Sequence, residues 1–288
     1  MKIIDAHLHL SNRSWFDQSA AAVGEHNSME AVQQMLAQNN IVMAVAMGAG
    51  GENGPPDHGP FLADLDGMDI PAGRCPANIA SCAGLSPVGM QPQDIPAVVE
   101  RFARCLQSPR VVGLKLYPGY HPLYVSDSVF HPFYDLAAQL DVPVVIHTGD
   151  TANRRALLKY AHPLTVDEVA VAFPHTRFVM AHCGNPWIID AVEVARKNPN
   201  VSIDLSAFAE GRFTVGGFLE NYGGFVQHIQ TWLACLGDYS KLLYGSDWPL
   251  VRMQDYIALI SHIIPPKHHE AVFYHNALSV FTKLDKLL

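Results

Sequence analysis

Lys2-Ile3-Ile4-Asp5-Ala6-His7-Leu8-His9 is a short apolar run that closes on two histidines one residue apart. In a strand, residues i and i+2 share a face, so both imidazoles emerge on the same side at the strand's end. Three further runs end in comparable chemistry: Val144-Val145-Ile146-His147, Phe178-Val179-Met180-Ala181-His182 and Leu242-Leu243-Tyr244-Gly245-Ser246-Asp247. Buried strands that each deliver an imidazole or a carboxylate to one end describe a transition-metal site.

Working outward, eight runs of this kind recur, at 2–6, 41–47, 77–83, 111–117, 143–147, 177–181, 200–205 and 241–245. They are nearly continuous in Val, Ile, Leu and Ala, as parallel strands covered on both faces require. The intervening segments read as helices. Ser28 precedes a helix with Met29, Val32 and Leu36 on one side. Ile95, Val98, Phe102 and Leu106 repeat near the helical period. Thr165-Val166-Asp167-Glu168 has the form of a capping box, and Asn185-Pro186 that of a cap residue before a proline at the first helical position. Met253 to Ile264 and Lys267 to Leu287 supply the last helices.

Eight β-then-α units predict an α/β fold, a distorted (β/α)8 TIM barrel spanning residues 1–288 as one domain. Active sites of such barrels sit at the C-terminal ends of the strands. The four polar run ends lie there. Two Gly-rich stretches, Gly48 to Pro60 and Phe208 to Phe225, are expected as long βα loops on that face.

Composition narrows the function classes. Of 288 residues 49% are hydrophobic and 16% charged, enough for a large core. The net charge is -8, with no Lys/Arg cluster, which argues against a nucleic-acid partner. The opening Met1-Lys2-Ile3-Ile4-Asp5 breaks apolarity at once, so no signal peptide is expected, and no apolar stretch reaches membrane-spanning length. Five scattered cysteines without a Cys-x-x-Cys suit a reducing cytoplasm. The expected partner is a small-molecule substrate. Phe218, Tyr222, Phe225 and Trp232 could form either a lid or a homo-oligomer surface.

The residues suggest roles. His7 and His9 read as metal ligands, with Asp5 orienting one of them from behind. His147 is a third nitrogen ligand. His182 is either a fourth ligand or a base and electrophile beside the metal, the second being preferred because a catalytic zinc keeps a position open for water. Asp247 fits a carboxylate ligand that also takes a proton from water. Lys115, inside an otherwise apolar run, needs a reason to be there: an ion pair, a substrate contact, or a carbamate bridging a second metal. Arg154 and Arg155 read as solvated, and Cys183 as packing. Among the other histidines, His58 and His121 lie in βα segments and merit inspection.

Asp5-Ala6-His7-Leu8-His9, Gly113-Leu114-Lys115-Leu116-Tyr117-Pro118, His147-Thr148-Gly149, Ala181-His182-Cys183-Gly184-Asn185-Pro186-Trp187, Gly245-Ser246-Asp247-Trp248-Pro249 and the closing Asn276-Ala277 together resemble the amidohydrolase-related family of metal-dependent barrels. The resemblance is to the branch that includes aminocarboxymuconate-semialdehyde decarboxylase, and it covers nearly the whole chain. It implies a TIM barrel with one divalent ion, zinc or else manganese, held by His7, His9, His147 and Asp247, with His182 catalytic. That branch holds hydrolases, lactonases (some metal-free), decarboxylases and hydratases. The chain is short for the decarboxylases. Hydrolysis of a small amide, ester or lactone is therefore the expected reaction. The metal would lower the pKa of water from ~15.7 toward ~7. Asp247 would take the proton and His182 would stabilise the developing oxyanion. Lys115, Tyr117 and Trp248 are the expected substrate contacts. Decarboxylation at the same site is the first alternative and a non-catalytic binding barrel the second.

Overall fold

A computed structural model describes residues 1–11, 14–48 and 76–288. Its centre is a parallel sheet of eight strands in sequence order. They are β1 (Ile3–Leu8), β2 (Ile41–Met47), β3 (Ile79–Leu85), β4 (Val111–Leu116), β5 (Val144–Ile146), β6 (Phe178–Met180), β7 (Val201–Asp204) and β8 (Leu242–Leu243). Each answers one of the eight apolar runs. The last four are shorter than their runs.

The barrel closes by backbone bonds between β1 and the residues after β8. Ala6 N donates to Tyr244 O at 2.9 Å and His9 N to Trp248 O at 2.7 Å. Ser246 N and Asp247 N both donate to His7 O, at 3.0 and 2.8 Å. The seam that completes the barrel thus joins the His7-Leu8-His9 end to the Asp247 end. Gly245 permits this approach: a Cβ there would meet His7 Cβ at 2.8 Å.

Two apolar layers flank the strands. Ile4, Met43, Val45, Val112, Val145, Val179 and Leu243 fill the barrel, whose lower end is stopped by Val280, Phe281 and Leu284. Ile3, Leu114, Leu116, Ile146 and Met180 face the helices instead. This alternation points the polar end residues inward. Leu114 and Leu116 face out, so Lys115 faces in; Val145 faces in and Ile146 out, so His147 faces in.

The surrounding helices are α1 (Ser14–Ala22), α2 (Met29–Gln38), α3 (Ile95–Cys105), α4 (His131–Gln139), α5 (Leu164–Ala172), α6 (Ile188–Lys197), α7 (Val215–Leu236), α8 (Met253–Ile263) and α9 (Asn276–Val280). Ser28 caps α2 as expected, accepting from Ala31 N at 3.2 Å. Other local expectations are corrected. The Thr165 capping box does not form: α5 starts one residue earlier, and the Thr165 hydroxyl donates to His162 O at 2.8 Å. Asn185 does not cap α6, which begins at Ile188 after a cis Asn185-Pro186 bond. The region from Lys267 to Leu287 is a chain of short helical turns around α9 rather than one helix.

The largest local correction concerns 208–225. Half of this expected loop is helix, because Thr214 caps α7 by accepting from Gly217 N at 3.1 Å. The glycines bend the helix instead of ending it: Tyr222, just before Gly223-Gly224, has non-helical φ -127° and ψ 21°. The other expected loop, Gly48 to Pro60, lies almost wholly outside the described residues, as do His58 and Cys75. Among the described residues no helix is long and apolar enough to cross a membrane.

Candidate active site

His7, near the end of β1, is wholly buried. Its Nδ1 lies 2.7 Å from Asp204 Oδ2. That carboxylate makes Nδ1 the protonated nitrogen and leaves the Nε2 lone pair facing the barrel mouth. Asp204 ends β7, and its other oxygen serves the neighbouring histidine. Oδ1 accepts from His182 N at 3.0 Å, from Ser206 N at 3.1 Å and from the Ser206 hydroxyl. With its proton given to Asp204, Ser206 Oγ accepts from His182 Nδ1–H at 2.8 Å. The hydrogen-bond network thereby assigns the same tautomer to both rings, each with a bare Nε2.

Asp204 was not singled out in the sequence, although the signal was available. Asp204-Leu205-Ser206 closes its apolar run with two polar residues at i and i+2, the pattern that marked His7 and His9. Asp5, expected to orient an imidazole, does something else. Its Oδ1 accepts from His7 N and Ser246 N at 3.1 and 3.0 Å, and its Oδ2 from the Ser246 hydroxyl at 2.6 Å. It ties the backbone of the seam, and burial pushes its carboxyl up to about 7.

Asp247 follows β8 with φ +61°, and His182 follows β6 with φ +63°. Residues other than glycine adopt this left-handed region only where the fold compels it, at a cost of about 1–3 kcal/mol. Asp247 Oδ1 lies 3.2 Å from His9 Nε2 and 3.5 Å from His7 Nε2. It is buried and accepts no hydrogen bond. Donor atoms around one tetrahedral zinc, with Zn–N near 2.0–2.1 Å, stand about 3.3 Å apart. A buried carboxylate oxygen without a hydrogen bond, at that spacing from two imidazole nitrogens, fits a divalent cation.

His182 belongs to the same group: its donor and those of His7 and Asp247 all lie within 4.8 Å of one another. That limit is wider than one coordination sphere and leaves room for an intervening oxygen atom. His147 is buried, with its ring centroid 5.0 Å from that of His182. Its Nε2 is turned to Asp150 O at 3.0 Å, so it stands beside the tight group rather than within it.

The charges agree with cation binding. Burial lowers the pKa of His7, of His147 well below its ordinary value, and of His182 to about 3, so these rings are neutral at pH 7. For Asp204 and Asp247 burial works against ionisation. The imidazoles around both, and for Asp204 the hydrogen bonds from His7 and Ser206, outweigh it and hold both carboxyls well below the usual range. Neutral imidazoles beside an ionised carboxylate are the ligand states a divalent ion needs.

Lys115 is fully buried, with Nζ 3.4 Å from His7 Nε2 and 5.0 Å from the centre of the Tyr117 ring. Lys115, Tyr117, His9, His147, His182 and Asp247 share the wall of a cavity of about 510 Å³. Trp248 is not on that wall. It is fully buried, and its indole N–H donates to Glu25 Oε2 at 2.5 Å. Although it follows Asp247 in sequence, the backbone pairing of His9 N to Trp248 O sets it in the closure, with its indole toward Glu25. Arg154 and Arg155 are exposed and Cys183 is buried in the apolar layer, as expected. His121 is buried beside Tyr117. Glu210, on the cavity rim, is a further acidic group missed in the sequence. Partial burial and the nearby Asp247 and Asp150 carboxylates push its carboxyl up.

The family model described as Amidohydrolase matches residues 75–283, and the chain belongs to that family. It is an enzyme of the amidohydrolase superfamily. Among curated proteins it is similar to a 2-keto-4-carboxy-3-hexenedioate hydratase of Sphingobium sp. (strain NBRC 103272 / SYK-6). The two are 28% identical over 119 residues, 35% of this chain and 35% of that protein, so the match spans about a third of the relative. The fold matches 5-carboxyvanillate decarboxylase from Sphingomonas paucimobilis at a TM-score of 0.65 and 15% identity, covering 98% of this chain and 99% of that one. It also matches a probable 2-pyrone-4,6-dicarboxylic acid hydrolase from Acinetobacter baumannii at 0.64 and 16%, covering 98% and 100%. A dihydroxybenzoic acid decarboxylase from Polaromonas sp. JS666 with bound manganese matches at 0.64 and 13%, covering 98% and 97%.

Proposed function

We propose that the protein is a metal-dependent hydrolase of a small amide, ester or lactone. The observation that carries this reading is Asp247 Oδ1, buried without a hydrogen bond and 3.2 and 3.5 Å from His9 and His7 Nε2. His7, His9 and Asp247 would hold one divalent ion, zinc or manganese, and His147 would join as a further nitrogen ligand by turning its ring from Asp150 O. Such an ion supplies a Lewis acid and lowers the pKa of water.

The chain's own residues divide the remaining work. Asp247, ionised and next to the attacking oxygen's position, accepts a proton and can return it to the leaving group. Asp204 keeps His7 and His182 in one tautomer each, fixing the His7 ring directly and the His182 ring through Ser206. His182 meets the substrate oxygen on which charge develops, or positions the attacking water, from a ring that the fold holds in place. Lys115 offers a positive charge, and Tyr117 a ring, to the substrate in the cavity. Glu210 and Asp150 make the rim acidic, which disfavours substrates with a second carboxylate.

The test is turnover of the metal-loaded enzyme on paired panels of amides, esters and lactones against aromatic and muconate-type acids, with CO2 release measured in parallel. Hydrolysis without CO2 supports the reading; CO2 release alone would replace it with decarboxylation, the activity named for two of the fold relatives. His182→Ala should retain metal and lose about 10²–10⁴-fold in kcat. Metal loss in that variant would make His182 a ligand instead.

A further inference from the structure

A second cavity, of about 710 Å³, adjoins the one that holds the candidate cation site. Asn185, Ala207 and Glu210 stand in the walls of both. This far cavity lies between the segment after β7 and the first turns of α7. Its apolar surface comes from Phe208, Phe213, Phe218 and Phe225, with ring centroids 5.1 Å apart for Phe213–Phe218 and 6.2 Å for Phe208–Phe225. The charged residues of its wall are Glu210, at the shared edge, and Arg212.

From this geometry we infer a two-part substrate: a hydrolysable head in the near cavity, joined by a short link to an apolar aryl or alkyl arm that crosses the Asn185–Ala207–Glu210 edge into the far one. The head's chemistry rests on the hydrolase reading above; the arm rests on the cavities alone.

Three observations support the arm. The two spaces meet at three shared wall residues, so a link that crosses this edge would let one molecule reach both. Their chemistry is divided. The near cavity carries the imidazoles, Asp247 and Lys115, while four phenyl rings line the far one beside Arg212, Thr214 and Asn221 and offer apolar surface with little orientational demand. Their combined size exceeds the roughly 300–1,000 Å³ of an ordinary small-molecule site, so a single-ring acid at the cation site would leave the far space unfilled.

The test uses inert probes, so that it does not depend on turnover. Butanoate and 4-phenylbutanoate carry the same carboxylate head and differ in the arm. Titration calorimetry on the metal-loaded protein should give at least tenfold tighter binding for 4-phenylbutanoate. Phe218→Ala and Phe225→Ala should remove that gain and leave butanoate binding unchanged. Asn221→Trp, at an exposed position on the far cavity wall, should block the arm without disturbing the core. Equal affinity for the two acids, or a gain that survives all three substitutions, would overturn the inference. If the arm effect appears in a protein that hydrolyses nothing, the hydrolase reading fails and the two-part site stands. Hydrolysis without an arm effect gives the reverse.

Discussion

The near and far cavities share three wall residues and are built in different ways. Around His7, polar groups are matched in order: Asp204 holds the His7 ring directly and the His182 ring through Ser206, and Asp5 ties the seam beneath. Around Phe218 side chains meet by ring contact, and the backbone carries Gly216, Gly217, Gly223 and Gly224. A Cβ at Gly216, Gly223 or Gly224 would meet nothing within 4 Å. No steric reason demands glycine at these positions, and each costs the helix roughly 1 kcal/mol relative to alanine. The contrast separates two tasks. Chemistry needs donors fixed to a fraction of an ångström, which buried hydrogen-bonded networks provide. Accommodation of an apolar arm needs only surface and room.

The comparison is sharpened most by Asp204→Asn. The amide retains the shape but loses the charge that holds both tautomers, and its NH2 would face a ring N–H or a backbone N–H. Metal affinity or kcat/KM should fall about 10–100-fold, as for partners that orient metal-binding histidines. A chelator competition and a pH-rate profile would measure it. Rescue by Asp204→Glu at constant Tm would separate positioning from folding. Unchanged metal affinity would mean that the network is structural only.

Acid should act on the ordered side. In the metal-free protein the pKa values of His7, His147 and His182 lie below the ordinary 6.5, that of His182 at about 3, because burial opposes their protonated forms. Below pH 6.5 the unfolded chain therefore binds protons that the folded chain does not, and stability falls as pH falls. Asp5 has the opposite sign. Raised to about 7, it stabilises at low pH, and that contribution is lost as pH rises toward 7. Glu25 and Glu210, also raised, are only partly buried and offset less, so the net expectation is a fall in stability on acidification from pH 6.5 to about 4.5. Thermal melts across that range would record it, and a flat or rising Tm would contradict it.

The smallest effect belongs to the permissive side. Gly224→Ala should raise Tm by about 2–4 °C, since it adds about 1 kcal/mol of helix propensity at a site with open space. Butanoate affinity should not move. A fall in Tm would show that the bend at Tyr222 needs the glycine.

The same division governs what was legible in the sequence. All eight strands were readable, because apolar runs that end in polar residues have no other economical placement in a parallel barrel. His7, His9, His147, His182, Lys115 and Asp247 could be placed at the barrel mouth for the same reason. Asp204 was missed although it carries the strand-end pattern, since one carboxylate after Ile203 looks ordinary until its two oxygens meet two histidines. Trp248 was misplaced because sequence adjacency to Asp247 says nothing about which way the chain turns after the seam. The stretch 208–225 was read as loop from its glycines. Thr214 and the kink at Tyr222 allow a helix there, a balance of local capping against weak propensity that composition alone does not reveal.

The most direct measurement is metal content of the native protein by elemental mass spectrometry, beside His7→Ala of equal thermal stability. One zinc or manganese per chain in the native protein, absent from the variant, is the predicted result. A native protein that takes up no divalent ion on reconstitution, or a variant that keeps its full complement, would contradict the account.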